Sequence, residues 1–258
     1  MKFDISKIEF SRYDKRREIV LPLNLTPELA ELSGIMLGDG NIYMKNNRYE
    51  IMIAGDANED FEYHNNHIAE LFKKVFNIKP ITKYKFSPDG KKSIATKIES
   101  KAMCQFYTQI LSLPNGKKKD IQIPKGIDES EEYICKFLRG VADTDFTIRF
   151  KNRDKRKSYY PLIEGQFGDR LLVENLKLLL DRIRIHSTLN HGTSYNKKTK
   201  KIYQNHRITI TGNKNLEKWM NQIGFANNRH LIRYKVWKKL GFCPPHTNME
   251  KGKLILLN

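Results

Sequence analysis

The amino-acid sequence predicts an α+β fold built from two pseudo-symmetric repeats, each with the element order α-β-β-α-β-β-α. A nine-residue pattern occurs twice, as Leu32–Gly40 and as Leu138–Phe146, and duplication of this kind indicates duplicated structural units. Each copy looks like the end of a helix that stops at an acid, and alternating strand patterns and an amphipathic helix follow it. The acids Asp39 and Asp145 are 145 − 39 = 106 residues apart, about the size of one small α/β unit.

The first repeat opens with clear helix-start signals. Thr26 is the expected N-cap residue and Pro27 the first helical residue. The elements predicted after this motif helix are strands Ile42–Lys45 and Arg48–Gly55, a helix Glu59–Phe76, strands Ile81–Phe86 and Lys92–Glu99, and a helix Lys101–Leu113.

The second repeat shows the same succession. Its motif helix is predicted to open at Asp128, with Glu131 three residues later as in a capping box. The repeats divide the chain into an N-terminal extension (1–25), a first half (26–125) and a second half (126–258) with a C-terminal helix and tail. The later elements are predicted as strands Phe146–Arg153 and Tyr159–Gly168, a helix Leu171–Ile183, strands Ile185–His191 and Ile202–Thr211, and helices Lys214–Ile223 and Leu231–Leu240.

The composition is strongly basic, with 47 Lys+Arg against 29 Asp+Glu and a formal net charge of +18. So much positive charge repels itself, which favours a polyanionic partner, nucleic acid first and an anionic membrane second. No apolar run is long enough for a transmembrane helix, and no signal peptide is expected. The three cysteines are scattered, so neither a disulfide framework nor a CxxC metal site is predicted, and a cytosol-like compartment is expected.

Small residues lie four apart near the end of each motif helix, Gly34 with Gly38 and Gly140 with Thr144. Such spacing puts them on one helix face and lets two helices pack closely at the centre of the fold. Close packing would bring the two acids together at helix C-termini, where the helix dipole is already negative. A divalent cation relieves this repulsion, and carboxylate and carbonyl oxygens suit Mg²⁺.

The two nine-residue patterns resemble the LAGLIDADG motifs of a family of homing endonucleases and maturases. The likeness runs from about Thr26 to Leu240, and Phe137–Asp145 is similar to the archaeal and intein-borne forms. The resemblance implies that Asp39 and Asp145 are the metal-binding, catalytic acids, assisted by the carbonyls of the preceding residues, Gly38 and Thr144. Two positions depart from the family pattern, Leu37 where many members have an acid and Phe146 in place of the final Gly. Neither is the essential acid, so metal binding is expected to survive, although Phe146 could reshape the backbone where its strand begins.

The same resemblance implies a basic residue near each scissile phosphate, late in each repeat. The matching positions are Lys117 or Lys118 in the first half and Arg229 in the second. A charge there would stabilise the transition state of phosphodiester hydrolysis. Solvated basic turns remain the alternative interpretation of these residues.

The predicted strands alternate between apolar and basic or polar positions, as in sheets with one face on helices. The outward faces would form a saddle of antiparallel β-sheets that lies against DNA, where Arg and Lys can address guanine edges and phosphates. The residues predicted to contact DNA are Tyr43, Lys45, Arg48, Lys83, Lys85, Thr147, Arg149, Lys151, Arg153, Gln166, Arg207 and Thr209.

The predicted function is therefore a metal-dependent endonuclease that cuts both strands of a long asymmetric DNA site and leaves short staggered ends. Mg²⁺ is the expected cofactor, with Mn²⁺ able to substitute, and a monomer in the cytoplasm or an organelle matrix is expected. The alternatives are an RNA maturase that binds intron RNA, a DNA-binding regulator without cleavage, and a basic structural or membrane-surface protein. A metal site at His64 and His67 would need a third ligand that the sequence does not supply.

Overall fold

The computed structural model describes residues 2–86, 90, 92–152, 159–196 and 199–258. Its contacts divide into two compact units. The first unit comprises Met1–Lys118 and Pro124–Thr144, and the second comprises Lys119–Ile123 and Asp145–Asn258. This division follows contacts in space rather than the repeats along the chain, so the second motif helix belongs to the first unit up to its penultimate residue.

The first unit holds an antiparallel four-stranded sheet and the helices around it. Its strands lie in the order β1-β2-β4-β3, which places β1 and β3 at the edges. The elements in chain order are α1 (Arg12–Arg16), α2 (Pro27–Leu37), β1 (Gly40–Lys45), β2 (Arg48–Asp56), a π-helical segment (Tyr63–Ile68) leading into α3 (Ala69–Phe76), β3 (Ile81–Phe86), β4 (Lys92–Glu99), α4 (Lys101–Gln105) leading into a second π-helical segment (Phe106–Ile110), a 3₁₀ turn (Ile127–Glu129) and α5 (Glu131–Asp145).

The second unit repeats this plan. Its sheet is again antiparallel, in the equivalent order β5-β6-β8-β7. The elements are β5 (Phe146–Lys151), β6 (Tyr160–Phe167), α6 (Arg170–Arg182), β7 (Thr188–Asn196), β8 (Lys201–Thr211), α7 (Asn213–Gln222), α8 (Asn228–Leu240) and α9 (Met249–Leu257). The predicted α+β fold with two αββαββα repeats is confirmed.

Strand alternation decides which residues enter each core. In the first sheet Ile42, Ile51 and Ile98 share the buried face, each 2% exposed or less. In the second sheet Ile148 and Ile208 do the same. The neighbouring positions on each strand point to the other face and carry the polar and charged side chains, as the period of two requires.

The helices depart from the sequence prediction in four places. The predicted helices at 59–76 and 101–113 each contain a π-helical segment, which sequence periodicity does not reveal. The cap predicted at Asp128 was wrong, because the Ser130 side chain accepts the Tyr133 amide at 3.1 Å and Asp128 lies in the preceding 3₁₀ turn. Helix α9 was not predicted, since Gly252 interrupts its apolar pattern. By contrast, the Thr26 cap is confirmed, its hydroxyl oxygen accepting from the Leu29 amide at 3.2 Å.

Within the described residues, no helix combines the length and the apolar character that crossing a bilayer requires.

The two motif helices cross inside the first unit with their backbones in contact. A Cβ atom added to Gly34 would collide with the Phe137 carbonyl oxygen and lie 2.9 Å from the Val141 nitrogen. A Cβ atom added to Gly140 would collide with the Glu31 carbonyl oxygen, three residues before Gly34, in a reciprocal arrangement. Only glycine permits this approach, because every other residue carries a Cβ.

We expect Gly140→Ala to destabilise the protein by about 2 kcal/mol. Overpacking costs about 1–3 kcal/mol, and here the obstacles are backbone atoms that cannot rotate away. This cost exceeds the gain of about 1 kcal/mol from the better helix propensity of alanine. Urea unfolding at pH 7 would measure the difference in the free energy of unfolding.

The matched control is Gly192→Ala in β7, where an added Cβ has no atom within 4 Å. Its free energy of unfolding should stay within about 0.5 kcal/mol of wild type. Equal effects of the two substitutions would contradict the close crossing.

Candidate functional site

A buried carboxylate lies at the helix crossing. Glu31 of α2 has a side chain that is 1% exposed, and it accepts hydrogen bonds from both Nε and Nη2 of Arg139 in α5. His67 Nε2 lies 2.6 Å from Glu31 Oε1, the oxygen that also accepts from Arg139 Nε. Burial disfavours the charged carboxylate, but the hydrogen bonds from His67 and Arg139 outweigh it and lower the pKa of Glu31. The ion pair therefore links the two motif helices to each other and to the π-helical segment.

The two histidines considered as a metal pair bond to different partners. His67 faces Glu31, whereas His64 Nδ1 lies 2.8 Å from the Thr96 hydroxyl and its side chain is buried. Among the described residues no group of three or more His, Cys, Asp or Glu side chains could hold a metal ion. Both histidines are thus accounted for by packing and hydrogen bonding.

Each motif acid lies at the junction of a helix and a strand. Asp39 follows Gly38, the C-cap of α2, directly precedes β1, and accepts the Ala54 amide on its backbone oxygen at 3.2 Å. Asp145 is the last residue of α5 and directly precedes β5. Both are half-buried. Each acid is five residues beyond the glycine at which its helix crosses the other (39 − 34 = 5 and 145 − 140 = 5).

Lys118 lies at the C-terminal end of α2. Its ammonium donates to the Leu37 carbonyl oxygen at 2.8 Å and to the Gly38 carbonyl oxygen. A cation at this end complements the helix dipole. The loop that carries it is fixed to β1, because Gly116 N donates to Ile42 O at 2.8 Å. Lys117 is exposed, so the structure separates the two lysines that the sequence left as alternatives.

The predicted basic residue of the second unit contacts its neighbour. Arg229 lies in the first turn of α8, and its Nε donates to His230 Nε2 at 3.1 Å. Arg233 lies one turn later in α8. Its Nη1 donates to the hydroxyl of Thr147 at 3.3 Å, and Thr147 is two residues beyond Asp145. Its Nε donates to Thr247 O at 2.9 Å. Arg233 was not among the residues predicted from the sequence, although its spacing of four from Arg229 places both on one helix face.

The basic residues of the first sheet share its outward face. Their register places Tyr43 opposite Glu50, and the Arg48 guanidinium carbon lies 5.5 Å from the centre of the Tyr43 ring. The Lys85 ammonium lies 3.1 Å from Met52 Sδ. The residues predicted to contact DNA in this unit are exposed: Tyr43, Lys45, Arg48, Lys83 and Lys85.

The second sheet has an equivalent face. Arg207 Nη2 donates to Gln166 Oε1 at 3.3 Å, and these residues are opposite each other in the register. The other described members on this face are Thr147, Arg149, Lys151 and Thr209. Arg153 lies outside the described residues.

Each face also contains a carboxylate that the sequence analysis did not single out. Glu50 pairs with Arg48 Nη2 at 2.8 Å and with Lys97 Nζ at 2.7 Å. Glu164 pairs with Arg149 at 3.0 Å and with Arg207 at 3.7 Å. Both glutamates are buried, 8% and 9% exposed. Their outward strand positions were the available signal, because an acid there must be matched by neighbouring cations.

The two repeats, each with a motif helix followed by an antiparallel sheet with a basic outward face, define a two-repeat protein. The family model of the LAGLIDADG-like domain matches residues 132–224. This stretch runs from the first turn of α5 through the second sheet to just beyond α7. The chain therefore contains a LAGLIDADG-like domain, and the family recognised from the motifs is confirmed there.

Solved structures of similar fold include I-WcaI bound to its DNA recognition sequence, which is 19% identical with a TM-score of 0.50 and covers 83% of this chain and 87% of that chain. I-GzeII in complex with its DNA target is 13% identical, with a TM-score of 0.49 and coverage of 84% and 90%. I-DmoI in complex with DNA and Mn is 14% identical, with a TM-score of 0.48 and coverage of 78% and 98%. At this identity the likeness to I-WcaI establishes the fold alone.

A curated relative is glutamine–fructose-6-phosphate aminotransferase (isomerizing) of Methanocaldococcus jannaschii. It is 23% identical over 209 residues, which make up 81% of this chain and 17% of that protein. The chain thus spans less than a fifth of that protein, and the aminotransferase activity in its name does not carry over.

We expect Glu31→Gln to lower the free energy of unfolding at pH 7 by about 3 kcal/mol, because breaking a buried ion pair leaves the Arg139 charge without its partner. Since the folded-state pKa of Glu31 lies below its ordinary value of 4.5, its stabilisation is fully present above pH 4.5. That stabilisation disappears as the pH falls through the lowered pKa. Urea unfolding from pH 7 to pH 3 should therefore show the two proteins converging.

Glu174→Gln is the control, because Glu174 forms an exposed pair with Arg170 at 2.7 Å on the surface of α6. Its urea midpoint should stay close to that of wild type at every pH, because an exposed ion pair contributes at most about 1 kcal/mol. A constant gap between Glu31→Gln and wild type down to pH 3 would contradict the ion-pair origin of the effect.

Proposed function

We propose that this chain is a site-specific DNA endonuclease of the homing type, which hydrolyses both strands of a long asymmetric target and leaves short staggered ends. The observation that carries the proposal is the reciprocal glycine crossing of two helices that lead into Asp39 and Asp145. The LAGLIDADG-like domain in the same chain supports it. The proposed partner is double-stranded DNA, bound by a monomer.

The two acids are the proposed ligands of a divalent metal, Mg²⁺ or Mn²⁺ in its place. Both are half-buried, so water can complete the oxygen shell that Mg²⁺ prefers. The Thr144 carbonyl lies in the last turn of α5, where carbonyls turn out of the helix ladder. The Gly38 carbonyl accepts from Lys118, so it is the weaker of the two predicted carbonyl ligands. A bound metal would polarise the scissile phosphate and activate water.

Lys118 is the proposed source of positive charge in the first half. Its ammonium donates to Leu37 O and Gly38 O, the carbonyls of the two residues that precede Asp39. In that place it can offset the negative charge that develops on the phosphate oxygens during hydrolysis. In the second half the proposed source of positive charge is Arg229. Arg233 is proposed as a second source, because it contacts Thr147.

The outward sheet faces are the proposed DNA-binding surfaces. Their cations address phosphates and base edges, and polar side chains such as Gln166 and Thr209 address further bases. The net charge of +18 favours association with any duplex, so recognition of one site depends on these side chains rather than on total charge.

We expect Asp39→Asn and Asp145→Asn each to abolish double-strand cutting, because a neutral amide binds a divalent metal more weakly than a carboxylate does. DNA affinity should stay within about tenfold of wild type, roughly 1.4 kcal/mol. Cleavage and gel-shift assays on one target duplex would measure both quantities. Asp181→Asn, at an exposed position of α6 paired with Lys177, is the control and should cut normally. Undiminished cutting by both motif variants would refute the site assignment.

We expect Lys118→Met to slow cleavage about 100-fold, since loss of one charge-stabilising donor typically costs 10²–10³ in rate. Lys117→Met is the matched control, because Lys117 is the neighbour of Lys118 in sequence and its side chain is exposed. Single-turnover cleavage at saturating enzyme would compare them. A larger loss in Lys117→Met would exchange the roles of the two lysines.

The experiment that tests the proposal as a whole is cleavage of a randomised double-stranded DNA library with Mg²⁺, with EDTA as the control, followed by sequencing of the cut ends. Enrichment of one long site with short staggered ends is the expected result. Enrichment by binding without cutting would instead support a regulator. A lack of any enrichment would refute the DNA function and move the test to intron RNA.

A further inference from the structure

The N-terminal extension presents a basic surface outside the two repeats. Helix α1 contains one acid, Asp14, which is fully buried. Its carboxylate accepts from Ser11 N at 2.8 Å and from Ala102 N at 3.2 Å, so the negative charge is turned inward. The side chains of Arg12, Lys15 and Arg16 are exposed. The solvent side of α1 is therefore cationic.

This helix is fixed against the end of the first sheet. The Arg17 guanidinium donates to the Glu99 carbonyl oxygen, at the last residue of β4, at 2.8 Å. Tyr13 is 50% exposed, and the guanidinium carbons of Arg16 and Arg17 lie 5.0 and 4.9 Å from the centre of its ring. The face of the Tyr13 ring attracts both guanidinium groups and thereby orients the two arginines.

Two clefts join α1 to the outward face of the first sheet. One, of about 440 Å³, lies between Tyr13 and the β1–β2 turn and includes Arg48 and Lys101, the latter paired with Glu9 at 2.8 Å. The other, of about 360 Å³, lies between Tyr13 and β3 and includes Arg17, Lys83 and Lys97. Glu99 lines both clefts, so cations exceed acids in each lining. The strand register places Arg48, Lys83 and Lys97 on the outward face. The cationic surface of α1 is thus continuous with the proposed DNA-binding face.

We propose that α1 and these two clefts bind the phosphodiester backbone of duplex DNA that flanks the segment held by the first sheet. This inference rests on the proposed function. The surface offers guanidinium and ammonium groups, which pair with phosphates and fix the position of the duplex without reading sequence. Five helical residues span about 7.5 Å, which corresponds to about two base-pair steps of 3.4 Å. The N-terminal extension therefore lengthens the bound segment at one end only.

The test compares wild type with the triple variant Arg12→Ser, Lys15→Ser and Arg16→Ser, which leaves the anchoring Arg17 in place. The matched control, Lys74→Ser, Lys214→Ser and Lys235→Ser, removes the same charge from exposed positions on α3, α7 and α8. Circular dichroism would confirm that all three proteins are folded. Hydroxyl-radical footprints on the target from the library selection, in EDTA, and the salt dependence of binding are then measured.

We expect the α1 variant to lose protection of about two to three base pairs at one end. Its slope of log K against log salt should fall in magnitude by about 2–3, because each lost phosphate contact contributes about 0.9. Its cut position should not change, and the control should keep the wild-type footprint. If wild type cleaves the target and the α1 variant keeps the wild-type footprint and slope, this inference alone is overturned. Wild type that neither cuts nor binds any duplex would overturn the proposed function and this inference with it.

Discussion

The backbone contact between Gly34 and Gly140 is the constraint on which the rest of the first unit depends. Because each glycine lies against a carbonyl oxygen of the other helix, neither position tolerates a side chain. The same approach lets Glu31 reach Arg139 across the crossing while the carboxylate is 1% exposed. A buried carboxylate is costly unless it is fully bonded, so helix spacing and ion-pair geometry have to be satisfied together. The crossing thereby fixes the first motif helix, whose end carries Asp39.

A second constraint comes from the excess positive charge. Neighbouring cations on a sheet face repel each other, and the structure places one buried carboxylate among them in each unit. Glu50 binds Arg48 and Lys97, and Glu164 binds Arg149 and Arg207. Burial disfavours ionisation of Glu50, but the hydrogen bonds from Lys97 and Arg48 prevail and lower its pKa. Each carboxylate therefore holds two long side chains in a defined orientation, which the proposed recognition of base edges requires.

The sequence was informative where a local rule decides the structure. Strict alternation located strands β3 and β4 at their observed bounds, and Thr26-Pro27 marked the start of α2. It was uninformative where two nearby residues suit the same role, as Ser130 and Asp128 do at the start of α5, since both residue types cap helices. It was also uninformative where a distant partner decides, because α9 forms around Gly252 where Ile232 of α8 occupies the space of a side chain. Which of Lys117 and Lys118 reaches the carbonyls at the end of α2 likewise depends on the path of a loop tied to β1, which no periodicity encodes.

The repeats preserve the scaffold while their outward faces differ. The offset of 106 residues between the motif acids also aligns β1 with β5, so Lys45 corresponds to Lys151, whereas Tyr43 corresponds to Arg149 (43 + 106 = 149). Tyrosine and arginine present different hydrogen-bonding groups to a base pair, and arginine favours guanine. The surroundings differ too, since α1 lies at the end of the first sheet and Arg233 of α8 contacts β5 in the second unit. If both faces bind one duplex, as proposed, such differences require two unlike half-sites. The different side chains of the two repeats therefore favour an asymmetric target, as does the presence of both repeats in one chain.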